Sequence, residues 1–136
     1  MSIRSVGIDT VHVPSFREQL ADAASSFVAS TFTVDERAYC DSKRGVARVQ
    51  SYAARFAVKE AFVKAWSGLR FGEPPMMTVT RWPEIEVQRD VHGRPAVALA
   101  GATREAVESL GDFDVLVSLS HDGDAAVAIV MLQETS

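Results

Sequence analysis

The chain has 136 residues, of which 47% are hydrophobic and 24% charged, and its net charge is −4. This length suffices for one domain with a buried core and is too short for two, so residues 1–136 are predicted to form a single domain. The acidic balance argues against a general nucleic-acid-binding protein, which needs a positive face. The longest apolar run, residues 125–132, is too short to cross a bilayer, and no secretion signal is recognised. A lone cysteine, Cys40, excludes an internal disulfide and is typical of a reducing, cytoplasmic location.

The first half of the chain is predicted to be mainly helical. A short strand over residues 3–8 runs directly into Asp9, and a helix follows from about residue 15 to residue 29, opened by Pro14. Thr33 and Glu36 have the spacing of a capping box, which predicts the start of a second helix. The longest helix is expected over residues 45–66, with residues 67–68 as its end.

The second half changes from helical spacing to alternation. An irregular loop rich in Gly and Pro is expected at residues 67–78. Alternating residues 84–88, a turn at His92-Gly93 and residues 96–100 predict a hairpin, and residues 101–110 are helix-like. Strands at 115–119 and 125–132 flank a turn at 122–124. Helices mixed with antiparallel hairpins indicate an α+β fold, with an antiparallel sheet packed against the long buried helix.

The long helix carries a carboxylate where an apolar residue is expected. It is apolar around most of its circumference, which is typical of a buried helix. Glu60 lies on the ridge between Phe56 and Val63, where an isolated charge would be costly, and Lys64 lies one turn further on. Two interpretations stay open: an ordinary Glu60–Lys64 ion pair on a solvated strip, or a cation-binding Glu beside a phosphate-facing Lys.

Asp9, at the end of a buried strand, is the natural partner for Glu60. Alone it is weak evidence, because Asp often ends strands. Two carboxylates brought together in a largely apolar site repel each other, and a divalent cation relieves that repulsion. One or two protein carboxylates plus substrate phosphates is a pattern that suits magnesium.

The strand ending at His121 delivers a histidine to a turn. This could be half of a Ser120–His121 catalytic pair or simply a hydrogen-bonded turn histidine, and no nucleophile-elbow motif supports the first interpretation. His12, His92 and His121 lack the spacing of a zinc site.

Three segments together resemble a known family. They are Gly7-Ile8-Asp9 after the first strand, residues 55–66 containing Glu60 and Lys64, and residues 118–121 ending at His121; residues 32–39 and 90–95 fit the same pattern. The chain resembles the holo-acyl-carrier-protein synthases, the small 4′-phosphopantetheinyl transferases, over nearly its whole length, and its loop at 68–77 is most similar to those of actinobacterial members.

The resemblance implies the 4′-phosphopantetheinyl transferase fold and an enzyme of fatty acid biosynthesis. Such an enzyme moves the phosphopantetheine arm of coenzyme A onto a serine of an acyl carrier protein and releases adenosine 3′,5′-bisphosphate. Family members are typically homotrimers that bind the coenzyme between protomers. By position, Asp9 and Glu60 would bind magnesium and Glu60 would help deprotonate the serine. Lys64 would neutralise phosphate charge, and the coenzyme site would comprise Arg55, Lys64, His121 and Lys43.

Two positions bear on metal binding and on recognition of the carrier protein. Glu36 matches a family acid near the metal, although its capping role already explains it. The first helix has Ser15 where family members often carry a basic residue that contacts the carrier protein, so a carrier domain within a large synthase is a candidate acceptor. Residues 37–48, with a local charge of +3, are a candidate substitute or a phosphate clamp.

Two other functions remain compatible with the same residues. One is a metal-dependent hydrolase of phosphate esters or anhydrides that uses Asp9, Glu60 and water. The other is a non-catalytic module that binds coenzyme A or a carrier domain without transfer.

Overall fold

The computed structural model describes residues 2–22 and 24–135. Two antiparallel sheets and five helices follow one another along this part of the chain. The strands are β1 (Ile3–His12), β2 (Ile85–Arg89), β3 (Pro95–Leu99), β4 (Phe113–Asp122) and β5 (Ala125–Glu134). The helices are α1 (Val13–Ala21), α2 (Phe27–Thr31), α3 (Val34–Asp41), α4 (Gly45–Gly68) and α5 (Gly101–Glu108), with a short 3-10 turn at Trp82–Glu84.

The main sheet has the strand order β1-β5-β4 and packs one face against α4, as predicted. Its inner face carries small residues, among them the buried Ala126 and Ala128, and these let the helix approach closely. Gly7 lies directly against the backbone of α4 at Ala61 and Ala65. The second sheet is the β2–β3 hairpin, whose register runs from Ile85–Leu99 to Arg89–Pro95.

The predicted strand over residues 3–8 is too short, and Asp9 does not end it. β1 continues to His12 because β5 supplies a pairing partner for every residue from Ser5 to His12, with Asp9 opposite Ala128. Side chains alternate between the two faces of a strand, so Gly7, Asp9 and Val11 all face α4. Asp9 therefore lies inside the sheet, on the face that the helix covers.

The predicted single helix over residues 15–29 is divided into α1 and α2. The side chain of Asp22 accepts a hydrogen bond from the Ala24 amide at 3.0 Å, and Ser25 accepts one from the Phe27 amide at 3.1 Å. Such local side-chain bonds compete with helix continuation and form turns. Ala23, which the prediction included, lies outside the described residues.

The remaining elements confirm the predicted order, with adjusted ends. α4 extends two residues beyond its predicted end, and both β4 and β5 are longer than predicted. The capping box at Thr33 and Glu36 is present in full. Among the described residues, no helix is both long enough and apolar enough to cross a membrane.

Candidate active site

Asp9, Glu60 and Lys64 meet where β1 crosses α4. Lys64 Nζ donates to Asp9 Oδ1 at 2.9 Å and to the carbonyl oxygen of Ile8 at 3.0 Å. The lysine side chain is more than half exposed, whereas the aspartate is 9% exposed. The interpretation as a plain Glu60–Lys64 ion pair is therefore wrong, because the hydrogen bond of Lys64 goes to Asp9 on the neighbouring strand.

The two carboxylates perturb each other. Burial raises the pKa of Glu60 to about 7, and a hydrogen bond to Asp9 and the charge of Asp9 act in the same direction, while Lys64 opposes them. That hydrogen bond exists only while one carboxyl group holds a proton. Asp9 Oδ2 is buried and has no hydrogen-bond partner among the described residues. When both groups are ionised, the site therefore contains oxygen atoms that lack a positive partner.

This arrangement fits a hard divalent cation. A buried, unpartnered carboxylate oxygen beside a second carboxylate is the donor chemistry that magnesium prefers. Within residues 2–22 and 24–135, no group of three or more His, Cys, Asp or Glu side chains is placed to hold a metal. A cation bound by Asp9 and Glu60 would thus need further ligands from water or from a phosphate-bearing substrate.

A second feature is a cleft of about 470 Å³ between α4, the β2–β3 hairpin and β4. It brings together the predicted coenzyme residues Lys43, Arg55 and His121. The other lining residues include Tyr39, Ser51, Arg89, Ser118 and Leu119. Ser120 and His121 cannot act as a catalytic pair, because neighbouring residues of a strand point to opposite faces of the sheet.

One aromatic ring organises the cations of this cleft. The Cζ atoms of Arg89 and Arg55 lie 3.7 Å and 4.3 Å from the centroid of the Tyr39 ring, and the Nζ atom of Lys43 lies 5.0 Å from it. In the described part of the chain none of these three cations forms a salt bridge. Arg55 is 8% exposed, and its Nη1 donates to the carbonyl and hydroxyl oxygens of Ser51, both at 3.1 Å. The ring thus gathers three cations on one wall of the cleft, an arrangement that favours the binding of an anion.

Part of the positive charge predicted for residues 37–48 is used in an ion pair within the segment. Arg48 is paired with Asp41 at 2.9 Å, and Asp41 also accepts a hydrogen bond from Tyr52. Lys43 is the member of this segment that reaches the cleft.

The cleft and the carboxylates lie on different sides of α4. At 3.6 residues per turn, Glu60 is rotated by about 140° and Lys64 by about 180° from Arg55 around the helix axis. One copy of the chain therefore presents its cation-lined cleft and its Asp9–Glu60–Lys64 cluster in different directions.

Glu36 does not join the acidic cluster, contrary to what the resemblance suggested. Its Oε1 accepts from Lys59 Nζ at 2.8 Å and from the Thr33 amide, and its Oε2 accepts from the Val87 amide at 2.8 Å. Both side chains are fully buried. Burial lowers the pKa of Lys59, and the Glu36 carboxylate opposes this effect.

Sequence reasoning missed Lys59, Tyr39 and Arg89. A signal for Lys59 was present, since a lysine inside a helix that is apolar on most sides needs a buried partner. Alternation along residues 84–88 predicted the hairpin, but it did not reveal that Arg89 stacks on Tyr39. That contact depends on how the hairpin docks against α3.

Comparison with known proteins identifies the family of this chain. Residues 5–130 match the model of the 4′-phosphopantetheinyl transferase superfamily. A holo-[acyl-carrier-protein] synthase of Mycobacterium tuberculosis is 44% identical over 133 residues, covering 98% of each chain. The corresponding protein of Nocardia farcinica is 42% identical over 134 residues, covering 98% of this chain and 90% of the relative.

Solved structures show the same fold. The ACPS–CoA complex of Chronobacterium ammoniagenes superposes with a TM-score of 0.89 at 38% identity, covering 97% of this chain and 98% of that one. The acyl carrier protein synthase of Mycobacterium tuberculosis superposes with a TM-score of 0.78 at 41% identity, covering 98% of this chain and 99% of that one. The α+β fold and the transferase class expected from the sequence are confirmed, and the chain belongs to the 4′-phosphopantetheinyl transferase superfamily.

Proposed function

We propose that this chain transfers the 4′-phosphopantetheine arm of coenzyme A to a serine of an apo acyl carrier protein or carrier domain, in fatty acid biosynthesis. The observation that carries the proposal is the Asp9–Glu60–Lys64 cluster, in which an unpartnered carboxylate oxygen lies beside a glutamate with a pKa of about 7. The serine oxygen forms a bond to the pantetheine-side phosphorus. The bond from that phosphorus to the bridging oxygen breaks, and adenosine 3′,5′-bisphosphate leaves.

Asp9 and Glu60 are the residues that would hold magnesium. The bound ion would neutralise charge on the pyrophosphate, which is the main demand of phosphoryl transfer. Glu60 would help to deprotonate the attacking serine, directly or through a water molecule, as a general base. Lys64, held beside Asp9, places a positive charge against the reacting phosphate.

Lys43, Arg55 and His121 form the coenzyme site in this proposal, together with Lys64. The first three line the cleft on the opposite side of α4 from the carboxylates. Coenzyme A carries phosphates at two places, and fixed cations bind such anions at little further entropic cost. We therefore propose that a coenzyme seated in this cleft meets the carboxylates of another copy of the chain.

The main sheet offers a surface for that second copy. Its outer face is apolar where a solvated face would be polar: Val6 is 54% exposed, Ile8 58% and Leu116 44%. Ile129 and Met131 of the central strand lie between them in register. An exposed apolar patch of this kind marks an interface. We therefore propose a homotrimer with active sites between protomers, the number three coming from the family resemblance.

Several finer points belong to the same proposal. We also propose that residues 1–136 form one domain, which is supported by the packing of α4 against β1, β5, β4, β2, α1 and α3. A cytoplasmic location is consistent with the free, buried Cys40. Helix α1 exposes Ser15, Arg17 and Glu18 and so offers little net positive charge to an acidic carrier. This favours a carrier domain of a large synthase as acceptor.

Intact-mass spectrometry tests the transfer. Apo carrier domains incubated with the protein, coenzyme A and magnesium are expected to gain the mass of one phosphopantetheinyl group. Glu60→Gln should lower the rate by about 100-fold or more. Glu108→Gln, which removes a charge from an exposed pair on α5, is the matched control and should leave the rate unchanged. Turnover of the Glu60 variant at the wild-type rate would contradict its role.

The same assay separates the two alternatives. Release of phosphate or of adenosine 3′,5′-bisphosphate from coenzyme A without any carrier indicates a hydrolase. Tight coenzyme binding that ignores magnesium and gives no adduct on any carrier indicates a binding module.

A further inference from the structure

A buried ion pair lies directly beneath the cation cluster of the cleft. Glu36 and Lys59 are both fully buried, at 2.8 Å from each other. Lys59 Nζ donates its other two protons to the carbonyl oxygens of Trp82 at 3.0 Å and Ile85 at 2.7 Å. An ammonium group has three protons, so every donor of Lys59 is used. The pair ties together α3, α4, the 3-10 turn and β2.

Each residue of this network lies one helical turn, or two strand residues, from a residue that lines the cleft. Glu36 precedes Tyr39 by three residues on α3, and Lys59 follows Arg55 by four on α4, so each pair shares a helix face. Val87, which donates its amide to Glu36, precedes Arg89 by two residues on β2 and shares its strand face. The buried network and the Tyr39 cluster are thus parallel layers between the same three elements.

Stability alone does not account for a buried pair of charges. Replacing such a pair by apolar side chains of similar volume is often neutral or stabilising, because removing both charges from water is costly. An apolar pair, however, could not form directional hydrogen bonds with the Val87 amide or with the carbonyl oxygens of Trp82 and Ile85. The network specifies how far β2 lies from α3 and α4, and therefore where Arg89 and Arg55 meet the Tyr39 ring.

We propose that Glu36 and Lys59 are positioning residues for the coenzyme site, which set the spacing of Arg55 and Arg89 on Tyr39 without touching the substrate. This inference rests on the proposed function, since it assigns the cleft to the coenzyme. Losing the network leaves Asp9, Glu60 and Lys64 in place, so coenzyme binding suffers more than the chemical step.

The test is steady-state kinetics of carrier modification with Glu36→Leu/Lys59→Met. We expect a KM for coenzyme A raised by about 10-fold or more and a kcat within about 3-fold. The melting temperature should fall, because the Val87 amide and the carbonyl oxygens of Trp82 and Ile85 lose their buried partners. Arg104→Met/Glu108→Leu removes an exposed pair on α5 and is the matched control. It should change neither constant.

A second comparison distinguishes positioning from general loosening. Tyr39→Leu removes the ring that both arginines contact, and it should raise the same KM. In combination with Glu36→Leu/Lys59→Met, Tyr39→Leu should raise the KM little further, because the effects of residues that act through one cluster are not additive. Additive increases in the KM, or a wild-type KM in the Glu36→Leu/Lys59→Met variant, would overturn the inference.

If the Glu36→Leu/Lys59→Met variant does not fold, Glu36→Gln provides a second test. The carboxamide keeps the shape but has one acceptor oxygen, so it cannot serve both Val87 and Lys59. It should also raise the KM for coenzyme A, and a wild-type KM here would equally refute positioning. If the wild-type protein itself forms no adduct, the proposed function fails; if it does and these variants match it, only this inference fails.

Discussion

Gly7→Ala is expected to damage both stability and activity, because β1 touches α4 at this residue. A Cβ on Gly7 would lie 2.7 Å from the Ala65 amide nitrogen and closer still to the Ala61 carbonyl oxygen, whereas ordinary contacts begin at 3.4 Å. Both atoms belong to helix backbone, which cannot rotate away. The Ala65 contact alone would require strand and helix to separate by about 0.7 Å, and the nearer Ala61 oxygen would require more.

The magnitude follows from this displacement. Overpacking a core typically costs about 1–3 kcal/mol, and backbone contacts on both sides place this case near 3 kcal/mol. For a chain of this size that lowers the melting temperature by roughly 10 °C. Separation also moves Asp9 on β1 away from Glu60 and Lys64 on α4, and a misplacement near 1 Å can cost about 100-fold in rate.

Differential scanning fluorimetry and the carrier-modification assay measure the two effects. Gly68→Ala is the matched control, because its nearest neighbour is the hydroxyl of Ser5, a side chain that can rotate. It should retain wild-type activity at a melting temperature within about 3 °C. If Gly7→Ala melts like the wild type and transfers at the wild-type rate, the close strand–helix contact does not organise the site.

Three further predictions concern the charges and the sheet surface. Burial and Asp9 raise the folded-state pKa of Glu60 to about 7, above its unfolded value near 4.5, so ionising Glu60 costs stability as pH rises through this range. In chelator, Glu60→Gln should therefore melt higher than the wild type at pH 8 and like it below pH 4.5, and equal melting at pH 8 would contradict the carboxylate repulsion. Lys64→Met should slow transfer by about 100-fold while circular dichroism stays unchanged, and a wild-type rate would exclude its role at the phosphate. Val6→Lys and Ile8→Lys place charges on the outer sheet face and should give monomers by sedimentation velocity, with loss of transfer; an intact oligomer would show that the interface lies elsewhere.

Local patterns determined much of this protein. The capping box at Thr33 and Glu36, the length of α4 and the two hairpins were all predicted, because each depends on spacing within a few residues. Chemistry-bearing residues were also recognisable where they break a pattern, as Glu60 does on an apolar ridge. The break between α1 and α2 was missed because the Asp22 turn competes with helix propensity at short range.

Only the tertiary structure decided which groups meet. An ion pair between Lys64 and Glu60, one turn away, was one of two open interpretations, but Lys64 bonds Asp9, because β1 runs past its predicted end and crosses α4 there. Glu36 was considered for the metal site and instead lies in a buried pair with Lys59. Spacing along the chain identifies residues on one face of one element. Which faces pack together depends on side-chain volume and on the need to satisfy every buried charge, and both are properties of the assembled core.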